Sequence, residues 1–321
     1  MEINKISSEA QKSMKTRIIT AIIIGLVMIP CIILGDWPFV ILVSFLSIAA
    51  IYESLHITGK KYPWYIYLIM YIFTFSFIFW IFKSDLAYYE NNHFYIKDIR
   101  ISTMGVAFML AILFTISVFN EKIDTKDVFY LFTMSLFLGI SMQSVLFLRF
   151  SPGAFDVENK YFSNSFITCL LFVYVILGTC LNDIFAYFVG VLLGKHKMNP
   201  RVSPKKTWEG FIGGIVLSSL FTMIFAIICE KCFNIPLIPG NLDLAHWYNI
   251  LFASLLISFS AVLGDLMFSL IKRSYNIKDY GNIFPGHGGV LDRFDSLLIT
   301  SLLATIFVAF IVYAPFSGVI M

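Results

Sequence analysis

The sequence predicts an all-α, polytopic integral membrane protein, and three observations lead to this fold class. Hydrophobic residues make up 59% of the 321 residues, whereas charged residues make up only 13%. The mean hydropathy of +0.83 is typical of a membrane protein with several spans rather than of a soluble one. Long apolar runs recur without the alternation of a membrane β-barrel, and lipid offers the backbone no hydrogen-bond partners, so helices are the expected spanning element.

Nine apolar runs are predicted to be transmembrane helices, because a hydrocarbon core of roughly 30 Å requires about 20 apolar residues per span. The sixth run is too long for one simple crossing, so we expect it to be tilted, broken or extended past the bilayer. In chain order the runs are Ile18–Leu34, Phe39–Leu55, Trp64–Phe82, Ile101–Phe119, Val128–Leu148, Phe166–Leu193, Phe211–Cys229, Tyr248–Ile271 and Leu297–Tyr313.

The basic residues predict the orientation of the chain. With a cytoplasmic N-terminus and nine spans, most of the 23 lysines and arginines fall in cytoplasmic segments, as the positive-inside rule requires. Two polar loops, Lys195–Glu209 and Lys272–Asp295, then face the cytoplasm together, and we expect the active site to face that side. Nucleic acid is not an expected partner, because the chain has no soluble basic domain.

We expect one membrane domain over residues 1–321, with mainly scaffold spans in residues 1–161 and a catalytic half in residues 162–321. The spans of the first half carry few polar residues. Glu53 is an exception, for which we expect snorkelling or pairing with a basic residue rather than catalysis. The second half holds both polar loops and the intramembrane acids Asp183 and Asp265.

The first polar cluster lies at the end of the sixth run. Asp183, Tyr187, Gly190 and Gly194 are spaced i, i+4, i+7 and i+11, so a helix places them on one face. For the glycines, close helix packing is the simplest explanation. An ionised carboxylate within a span costs about 3 kcal/mol or more unless it is paired, hydrated or bound to a metal. A functional role is therefore favoured for Asp183.

The second polar cluster lies directly before the seventh run. Thr207 is predicted to cap the helix that follows, and Glu209 to interact favourably with the helix dipole. This leaves Ser203, Lys205 and Lys206 without a structural role. One alternative is that the basic residues only set the topology. A helix N-terminus with two lysines and a hydroxyl also suits an anion, which favours a phosphate-binding surface at the level of the lipid headgroups.

The third polar cluster joins the last two spans. Asp265, Ser269 and Lys272 share one helix face, and Asp292 and Asp295 share another at the start of the ninth span. Three carboxylates that meet at a membrane boundary repel each other unless cations intervene. Oxygen-rich sites of this kind suit Mg²⁺, which binds through one or two carboxylates together with substrate phosphates. The cluster therefore suits a magnesium site.

The loop between these faces is rich in glycine. Gly286, Gly288 and Gly289 permit a close approach of the backbone and conformations that other residues avoid. His287 lies among them and is predicted to orient the turn rather than to catalyse. A zinc site is not expected, because the stretch has no cysteine and no second histidine.

These groups together indicate phosphate transfer at a bilayer surface. Metal ions held by aspartates would neutralise a nucleoside triphosphate, and lysine and arginine would stabilise charge on a leaving pyrophosphate. An attacking phosphate monoester is already largely anionic near neutral pH, since its second pKa is about 6. Such a reaction needs no strong general base.

The third cluster resembles the signature of the phosphatidate cytidylyltransferase family, also called CDP-diacylglycerol synthases. The family pattern reads S-x-x-K-R, four residues, K-D, then a small residue and P-x-H-G-G before D-R-x-D. It is matched by Ser269, Lys272, Arg273, Lys278, Asp279, Gly281, Pro285, His287, Gly288, Gly289, Asp292, Arg293 and Asp295.

Two other segments are similar to the family as well. They are the stretch around Asp183 and the loop Ser203–Gly210. One departure is Val191, where relatives often carry a basic residue, so a phosphate contact from that position is not expected.

The resemblance implies a helical membrane enzyme, commonly a homodimer, that condenses CTP with phosphatidate in phospholipid biosynthesis. The products would be CDP-diacylglycerol and pyrophosphate. The reaction would depend on Mg²⁺, with a monovalent cation such as K⁺ beside it. The host would be the bacterial plasma membrane, or the endoplasmic reticulum membrane in a eukaryote.

The site residues follow from the clusters and the resemblance together. Carried over by position from the family, the metal ligands would be Asp265, Asp292 and Asp295. The predicted catalytic residues are Asp265, Lys272, Arg273, Asp292, Arg293 and Asp295. The predicted substrate- or phosphate-binding residues are Asp183, Tyr187, Ser203, Lys205, Lys206, Ser269, Lys278, Asp279 and His287.

Two other functions compete with this one. A CTP-dependent polyprenol or phytol kinase of the same broader superfamily would transfer the γ-phosphoryl group to an alcohol and release CDP; the long motif match argues against it. A transporter would use Asp183 and Asp265 as ion sites. It is disfavoured because the sequence shows no internal repeat.

Overall fold

A computed structural model of the chain describes residues 8–91, 96–150 and 165–313, and the side chains of residues 16–79, 105–150 and 168–312. These ranges contain nine long α-helices and a two-stranded sheet. The elements in chain order are α1 (Ser8–Leu34), α2 (Asp36–His56), α3 (Trp64–Asn91), α4 (Ile96–Phe119), α5 (Thr125–Phe150), α6 (Ser165–Leu193), β1 (Lys197–Asn199), β2 (Ser203–Thr207), α7 (Trp208–Phe233), α8 (Trp247–Ser274) and α9 (Leu291–Tyr313).

Each predicted apolar run lies within one of these helices, which confirms the all-α polytopic class. Seven helices are long and apolar enough to cross a membrane, while α3 and α4 contain the shorter apolar stretches Trp64–Phe79 and Gly105–Phe119. The sixth run forms a single helix of 29 residues and is not broken. The side of the membrane on which each loop lies stays a prediction.

The polar segment expected to be a loop between α6 and α7 is instead a small antiparallel hairpin. Lys197 pairs with Thr207 and Asn199 with Ser203. Pro204 lies within β2. It is tolerated there because each strand of a two-stranded sheet keeps one unpaired edge, where no backbone donor is needed. The hairpin brings the polar residues of both strands back towards the end of α6.

The helices pack around one continuous hydrophobic core. The most extensive contacts are those of α6 with α7 and of α8 with α9, while α5 touches α2, α3, α4, α6 and α9. Buried residues from both halves belong to the same cluster. For example, the rings of Phe39 and Phe172 pack edge to face with centroids 5.3 Å apart. The helices of the first half therefore pack directly against those of the second.

Hydroxyl groups link three helices inside this core. The Tyr174 hydroxyl on α6 lies 2.7 Å from the Ser254 hydroxyl on α8. Ser218 on α7 donates to Ser258 on α8 at 2.6 Å, and Ser219 donates to the same oxygen at 3.1 Å. In a membrane such bonds supplement van der Waals packing, since lipid provides no hydrophobic drive for helix association.

A buried arginine fastens the exposed helix α1 to the core. Arg149 on α5 is only 1% exposed. Its guanidinium donates to the carbonyls of Ile32 at 2.8 Å and Ile33 at 3.3 Å, and to Thr168 Oγ1 at 3.0 Å. It therefore satisfies carbonyls that the last turn of α1 leaves without intrahelical partners. Gly35 has φ +66° beside it, and any side chain there would collide with the guanidinium.

Candidate active site

The hairpin is locked to the start of α7 by two side chains. Thr207 Oγ1 accepts from the backbone N–H of Gly210 at 3.2 Å, which confirms the predicted N-cap. Glu209 lies in the first turn of α7, as predicted. Its carboxylate also accepts the backbone N–H of Lys195 at 3.1 Å and lies 2.6 Å from the ring Nδ1 of His196. These contacts fix the chain where it leaves α6 and where it enters α7.

An ion pair joins the second polar cluster to the third. Lys206 on β2 pairs with Asp265 on α8. Ser269, one turn further along α8, donates to Asp265 Oδ1 at 3.3 Å. Residues of the hairpin and of α8, more than fifty positions apart, therefore meet at one point, which supports a site divided between these two elements.

A cavity of about 540 Å³, termed the polar cavity because five charged side chains line it, opens beside this ion pair. The predicted face of α6 lines it, including Asp183, Tyr187, Gly190 and Gly194. The complete lining is Asn182, Asp183, Ala186, Tyr187, Gly190, Val191, Gly194, Lys197, Lys205, Lys206, Thr207, Gly210, Phe211, Val262 and Asp265. Three lysines from the hairpin and two aspartates from α6 and α8 thus surround the same space.

Glycines on both α6 and α7 allow these two helices to pack closely together. A Cβ on Gly210 would lie 2.7 Å from the carbonyl oxygen of Ala186 and 3.1 Å from the Cα of Gly190. Gly214, one turn along α7, has Ala186 Cβ at 2.8 Å from the same hypothetical position. The close-packing explanation of Gly190 is therefore confirmed.

A second cavity of about 360 Å³ lies on the other side of Asp183 and is mainly apolar. It separates α1 from α6 and the start of α9. Its lining consists of Ile24, Gly25, Met28, Ile29, Ile32, Ile176, Thr179, Cys180, Asp183, Phe284, Arg293, Phe294, Asp295, Ser296 and Leu297. Asp183 is the residue that both cavities have in common among those lining them.

Asp292 is engaged with its surroundings through both carboxylate oxygens. Oδ1 lies 2.9 Å from Lys272 Nζ, and the ammonium is also 5.5 Å from the centroid of the Tyr280 ring. Oδ2 accepts the backbone N–H groups of Tyr280 at 2.7 Å and Gly289 at 3.0 Å. Asp292 therefore closes the loop between α8 and α9.

Burial keeps the hydroxyl of Tyr280 protonated, since this residue is only 5% exposed. Desolvation, reinforced by the negative charges of Asp292, Asp295 and Glu53, raises the pKa of the Tyr280 hydroxyl well above its ordinary value. The hydroxyl therefore stays protonated and donates to the carbonyl of Phe268 at 3.1 Å. The loop is tied to α8 by this bond.

The backbone of His287 organises the glycine-rich turn. Its N–H donates to the Phe284 carbonyl at 2.8 Å, and its carbonyl accepts from Arg293 Nε at 2.6 Å. Gly286 and Gly288 have φ values of +75° and +87°, a region that glycine enters without strain. The ring Nδ1 of His287 is buried and makes no hydrogen bond with the residues that the structure describes. These contacts agree with an orienting role.

The four remaining predicted site residues line neither of the two cavities. Arg273 is exposed, and its guanidinium donates to the carbonyls of Val202 and Ile277 at 3.4 and 3.3 Å. Ser203, Lys278 and Asp279 line neither cavity. Roles for these four residues in substrate binding stay predictions.

The carboxylates near the cavities form a set of oxygen donors of the kind that Mg²⁺ prefers. Asp183 repels Asp265, and Asp295 is repelled by both. Asp183 makes no hydrogen bond or ion pair with any described residue. Within the described ranges, no three His, Cys, Asp or Glu side chains lie close enough to hold a metal by themselves. An ion here would therefore share phosphate oxygens of a nucleotide, as Mg²⁺ commonly does.

The expectation for Glu53 is wrong. Its carboxylate neither snorkels nor pairs with a basic residue among those described; it is 2% exposed and accepts the backbone N–H groups of Val290 and Leu291, each at 2.8 Å. These groups lie at the start of α9, where helix donors lack intrahelical acceptors. The only sequence signal was an acid in an otherwise apolar span, which does not reveal its partner.

Two polar residues of the polar cavity, Lys197 and Asn182, had no predicted role in the site. Lys197 lines it from β1, and its signal was only membership of a basic loop. Asn182 lines it from α6, is fully buried, and makes no hydrogen bond through either amide atom with the described residues. An unsatisfied buried amide costs about 1–3 kcal/mol, so Asn182 is suited to meet a polar ligand.

Comparison with known proteins gives consistent relatives. A family model described as the cytidylyltransferase family matches residues 15–311. A phosphatidate cytidylyltransferase of Bacillus subtilis (strain 168) is 32% identical over 287 residues, which are 89% of this chain and 94% of that protein. One of Rickettsia bellii (strain RML369-C) is 35% identical over 196 residues, 60% of this chain and 76% of that protein. One of Staphylococcus saprophyticus is 41% identical over 129 residues, 40% of this chain and 44% of that protein.

Proposed function

This chain belongs to the cytidylyltransferase family, and on that premise we propose that it is a nucleotidyltransferase that condenses CTP with phosphatidate. The products are CDP-diacylglycerol and pyrophosphate. The observation that carries this proposal is the position of Asp183 between a polar cavity lined by lysines and a mainly apolar cavity. A reaction between a nucleotide and a lipid needs two such compartments with their reactive groups in contact.

The polar cavity suits the triphosphate of CTP. Lys197, Lys205 and Lys206 line it from the hairpin, and a cluster of ammonium groups attracts a polyanion strongly in a partly desolvated site. Lys206 is paired with Asp265. Bound phosphate would compete for this lysine and release the carboxylate.

The apolar cavity suits the lipid. Its walls are mainly aliphatic and aromatic, while Asp183, Arg293 and Asp295 are the charged residues of its lining. Arg293 provides a cation for the phosphate of phosphatidate. The lipid headgroup would then meet the nucleotide near Asp183.

The reaction follows from these positions. An oxygen of the phosphatidate phosphate attacks the α-phosphorus of CTP, and the bond from that phosphorus to the bridging oxygen of pyrophosphate breaks. The electron pair leaves with pyrophosphate, whose charge the hairpin lysines stabilise. The attacking phosphate is already anionic near neutral pH, because its second pKa is about 6. The chain therefore has to orient the two substrates and needs no strong base.

We also propose Mg²⁺ as the cofactor, with a monovalent cation such as K⁺ beside it. Asp265 and Asp295, joined by Asp183, are the carboxylates best placed to hold a cation with the nucleotide phosphates. When bound, Mg²⁺ would neutralise charge on the triphosphate. Asp292 remains a predicted ligand, although its two oxygens already have partners within the protein.

The apolar helices make the protein an integral membrane protein. Since its named relatives are bacterial, we propose the bacterial plasma membrane as its location, with the hairpin and the loop after α8 on the cytoplasmic side. A homodimer is proposed from the family resemblance. Light scattering of the detergent-solubilised protein tests it, and a protein mass of 36.6 kDa rather than twice that value contradicts it.

An assay with purified protein tests the proposed function. With CTP, Mg²⁺ and phosphatidate in detergent, we expect pyrophosphate release and formation of a CDP-lipid. Lys206→Ala should lower kcat/KM for CTP at least about tenfold, because a hydrogen bond to a charged group contributes about 1.5–3 kcal/mol. Lys231→Ala is the matched control, since Lys231 is exposed in the last turn of α7 and far along that helix from the hairpin.

Three results contradict the proposal in different ways. Release of CDP with phosphorylation of a lipid alcohol identifies the kinase. Solute or ion flux in vesicles without nucleotide turnover identifies a transporter. Equal kcat/KM for CTP in the Lys206→Ala and Lys231→Ala variants would show that the nucleotide does not bind in the polar cavity.

A further inference from the structure

We propose that Glu53, in the scaffold half, is a positioning residue of the active site that holds the start of α9 in its working position. The inference rests on the proposed function for its meaning in catalysis. The hydrogen bonds of Glu53 do not depend on the proposed function, because they are contacts within the chain.

The carboxylate of Glu53 acts as a cap supplied by another helix. Each of its oxygens accepts one backbone N–H, from Val290 and from Leu291, at 2.8 Å. Both donors are fully buried. A negative charge at a helix N-terminus is favourable because the helix dipole and the unpaired N–H groups are positive there. Each Glu53 oxygen thus has a hydrogen-bond donor, although no basic side chain among the described residues pairs with the carboxylate.

Two motif glycines make this approach possible. A Cβ on Gly281 would lie 2.8 Å from Glu53 Oε1, and a Cβ on Gly289 would lie still closer to the same carboxylate. Neither glycine has the positive φ that would require glycine for conformational reasons. Space for the Glu53 carboxylate is therefore the structural reason for glycine at both positions.

The position of Glu53 is itself fixed by the scaffold. The next residue, Ser54, has its carbonyl bonded to the Tyr130 hydroxyl on α5 at 2.7 Å. The Tyr130 ring packs edge to face on Tyr275, with centroids 5.2 Å apart, just after α8. The last turn of α2 is thus held between α5 and the segment that follows α8.

What Glu53 positions is the acidic first part of α9. Gly289 lies directly before Val290 and donates to Asp292, which pairs with Lys272. Asp295 follows one turn later and lines the apolar cavity. Because α9 is a rigid element, a displacement at residues 290 and 291 moves Asp292 and Asp295 together.

The test compares Glu53→Gln with Asp127→Asn. Glutamine keeps the size of the side chain, yet its NH₂ group faces a backbone donor and one of the two bonds is lost. Asp127 is a matched control, because it is a buried carboxylate of the first half that is bonded to Lys60 and Tyr62 and forms no hydrogen bond or ion pair with residues 280–291. Two quantities are measured: steady-state kinetics, and hydrogen exchange of the peptide covering residues 280–291.

We expect Glu53→Gln to lower kcat about 10- to 100-fold, the usual effect of substituting a residue that supports an active site. The KM values for CTP and phosphatidate should change less than about threefold, because the lost interaction acts in the transition state. Exchange in residues 280–291 should accelerate. Asp127→Asn should keep the wild-type kcat even if its Tm falls as much as that of Glu53→Gln. If Glu53→Gln does not fold, Glu53→Asp, which keeps the charge and shortens the reach, should show the same pattern more weakly.

Wild-type kcat in a folded Glu53 variant overturns the proposal. So does unchanged exchange of residues 280–291, or an equal loss of kcat in Asp127→Asn at equal loss of Tm, since that would be general destabilisation. An inactive wild-type enzyme together with accelerated exchange in Glu53→Gln contradicts the proposed function and leaves the positioning role supported.

Discussion

At the scale of single residues, the acidic side chains that lie in or next to the spans have different surroundings. Asp183 borders both cavities and has no partner among the described residues, Asp265 is paired with a lysine of the hairpin, and Asp292 is bonded within its own loop. Glu53 caps α9 from a distant helix. The physical difference lies in which donors meet each oxygen, and it separates groups free to meet a ligand from groups that hold the site together.

Asp292→Asn is expected to lower both activity and stability. An amide offers one acceptor oxygen where the carboxylate serves Lys272 and two backbone N–H groups, and breaking a buried ion pair costs about 3–5 kcal/mol. We expect kcat to fall at least about 100-fold, with a clear drop in Tm. Steady-state kinetics and thermal unfolding of the purified variant measure the two effects.

Tyr280→Phe is the control for that prediction, because it retains the backbone N–H that Asp292 accepts. It removes only the hydroxyl bond to Phe268, which contributes about 0.5–1.5 kcal/mol, and kcat should stay within about threefold of wild type. Near-normal activity of Asp292→Asn would show that neither metal binding nor loop closure depends on this carboxylate.

At the scale of elements, the crossing of α6 and α7 determines the shape of the polar cavity. Small residues bring the two helices so close that Gly210 lies against the backbone of Ala186 and Gly190. Small residues at helix crossings are typical of membrane proteins, where close van der Waals contact drives association. Lys205 and Lys206 lie on the strand just before α7, so a shift of this crossing also moves the lysines that face the cavity.

Gly210→Ala is therefore expected to destabilise the protein. The added methyl group would lie 2.7 Å from the Ala186 carbonyl oxygen and 3.0 Å from Thr207 Oγ1. Overpacking of this kind costs about 1–3 kcal/mol, and the cap of α7 would be displaced with it. Thermal unfolding in detergent measures the loss.

Gly105→Ala on α4 provides the comparison, because a Cβ there meets no atom of the described residues within 4 Å. Its stability should change by less than about 1 kcal/mol, in the direction that helix propensity favours. An equal loss of Tm in the two variants would mean that the crossing of α6 and α7 has no special sensitivity.

At the scale of the whole molecule, one hydrophobic core connects the scaffold helices to the site. Helix α1 is the exception, since its span is mostly exposed within the chain. It is held at one end by Arg149 and at the other by Thr20, whose hydroxyl donates to the Pro285 carbonyl at 3.0 Å. Between these points α1 forms a wall of the apolar cavity. The same helix therefore contacts both this cavity and the glycine-rich loop.

The orientation of the chain is a prediction at this scale. Cys232 is exposed near the end of α7 opposite the hairpin, and Lys278 is exposed in the loop after α8. In variants with a single cysteine, a membrane-impermeant maleimide should label Cys232 in intact cells. It should label Lys278→Cys only after the membrane is permeabilised. The reverse pattern would invert the predicted topology.

Much of the fold and part of the site could be predicted from sequence, because both depend on local pattern. Apolar length alone located the nine helices, since a span must bury its backbone bonds within itself. Helical spacing placed Asp183, Tyr187, Gly190 and Gly194 on the face that lines the polar cavity. The Thr207 cap was predictable for the same reason, because donor and acceptor are three residues apart.

The sequence by itself determined the class of fold, the family and the residues that carry charge into the membrane. Only the tertiary structure decided which of them meet. Glu53 and Val290 are 237 positions apart, Arg149 and Ile32 are 117 apart, and no local pattern relates such pairs. The segment before α7 likewise became a hairpin because its strands could pair across a turn. Periodicity specifies the face on which a side chain lies, whereas its partner depends on how the helices pack, and that is a property of the whole chain.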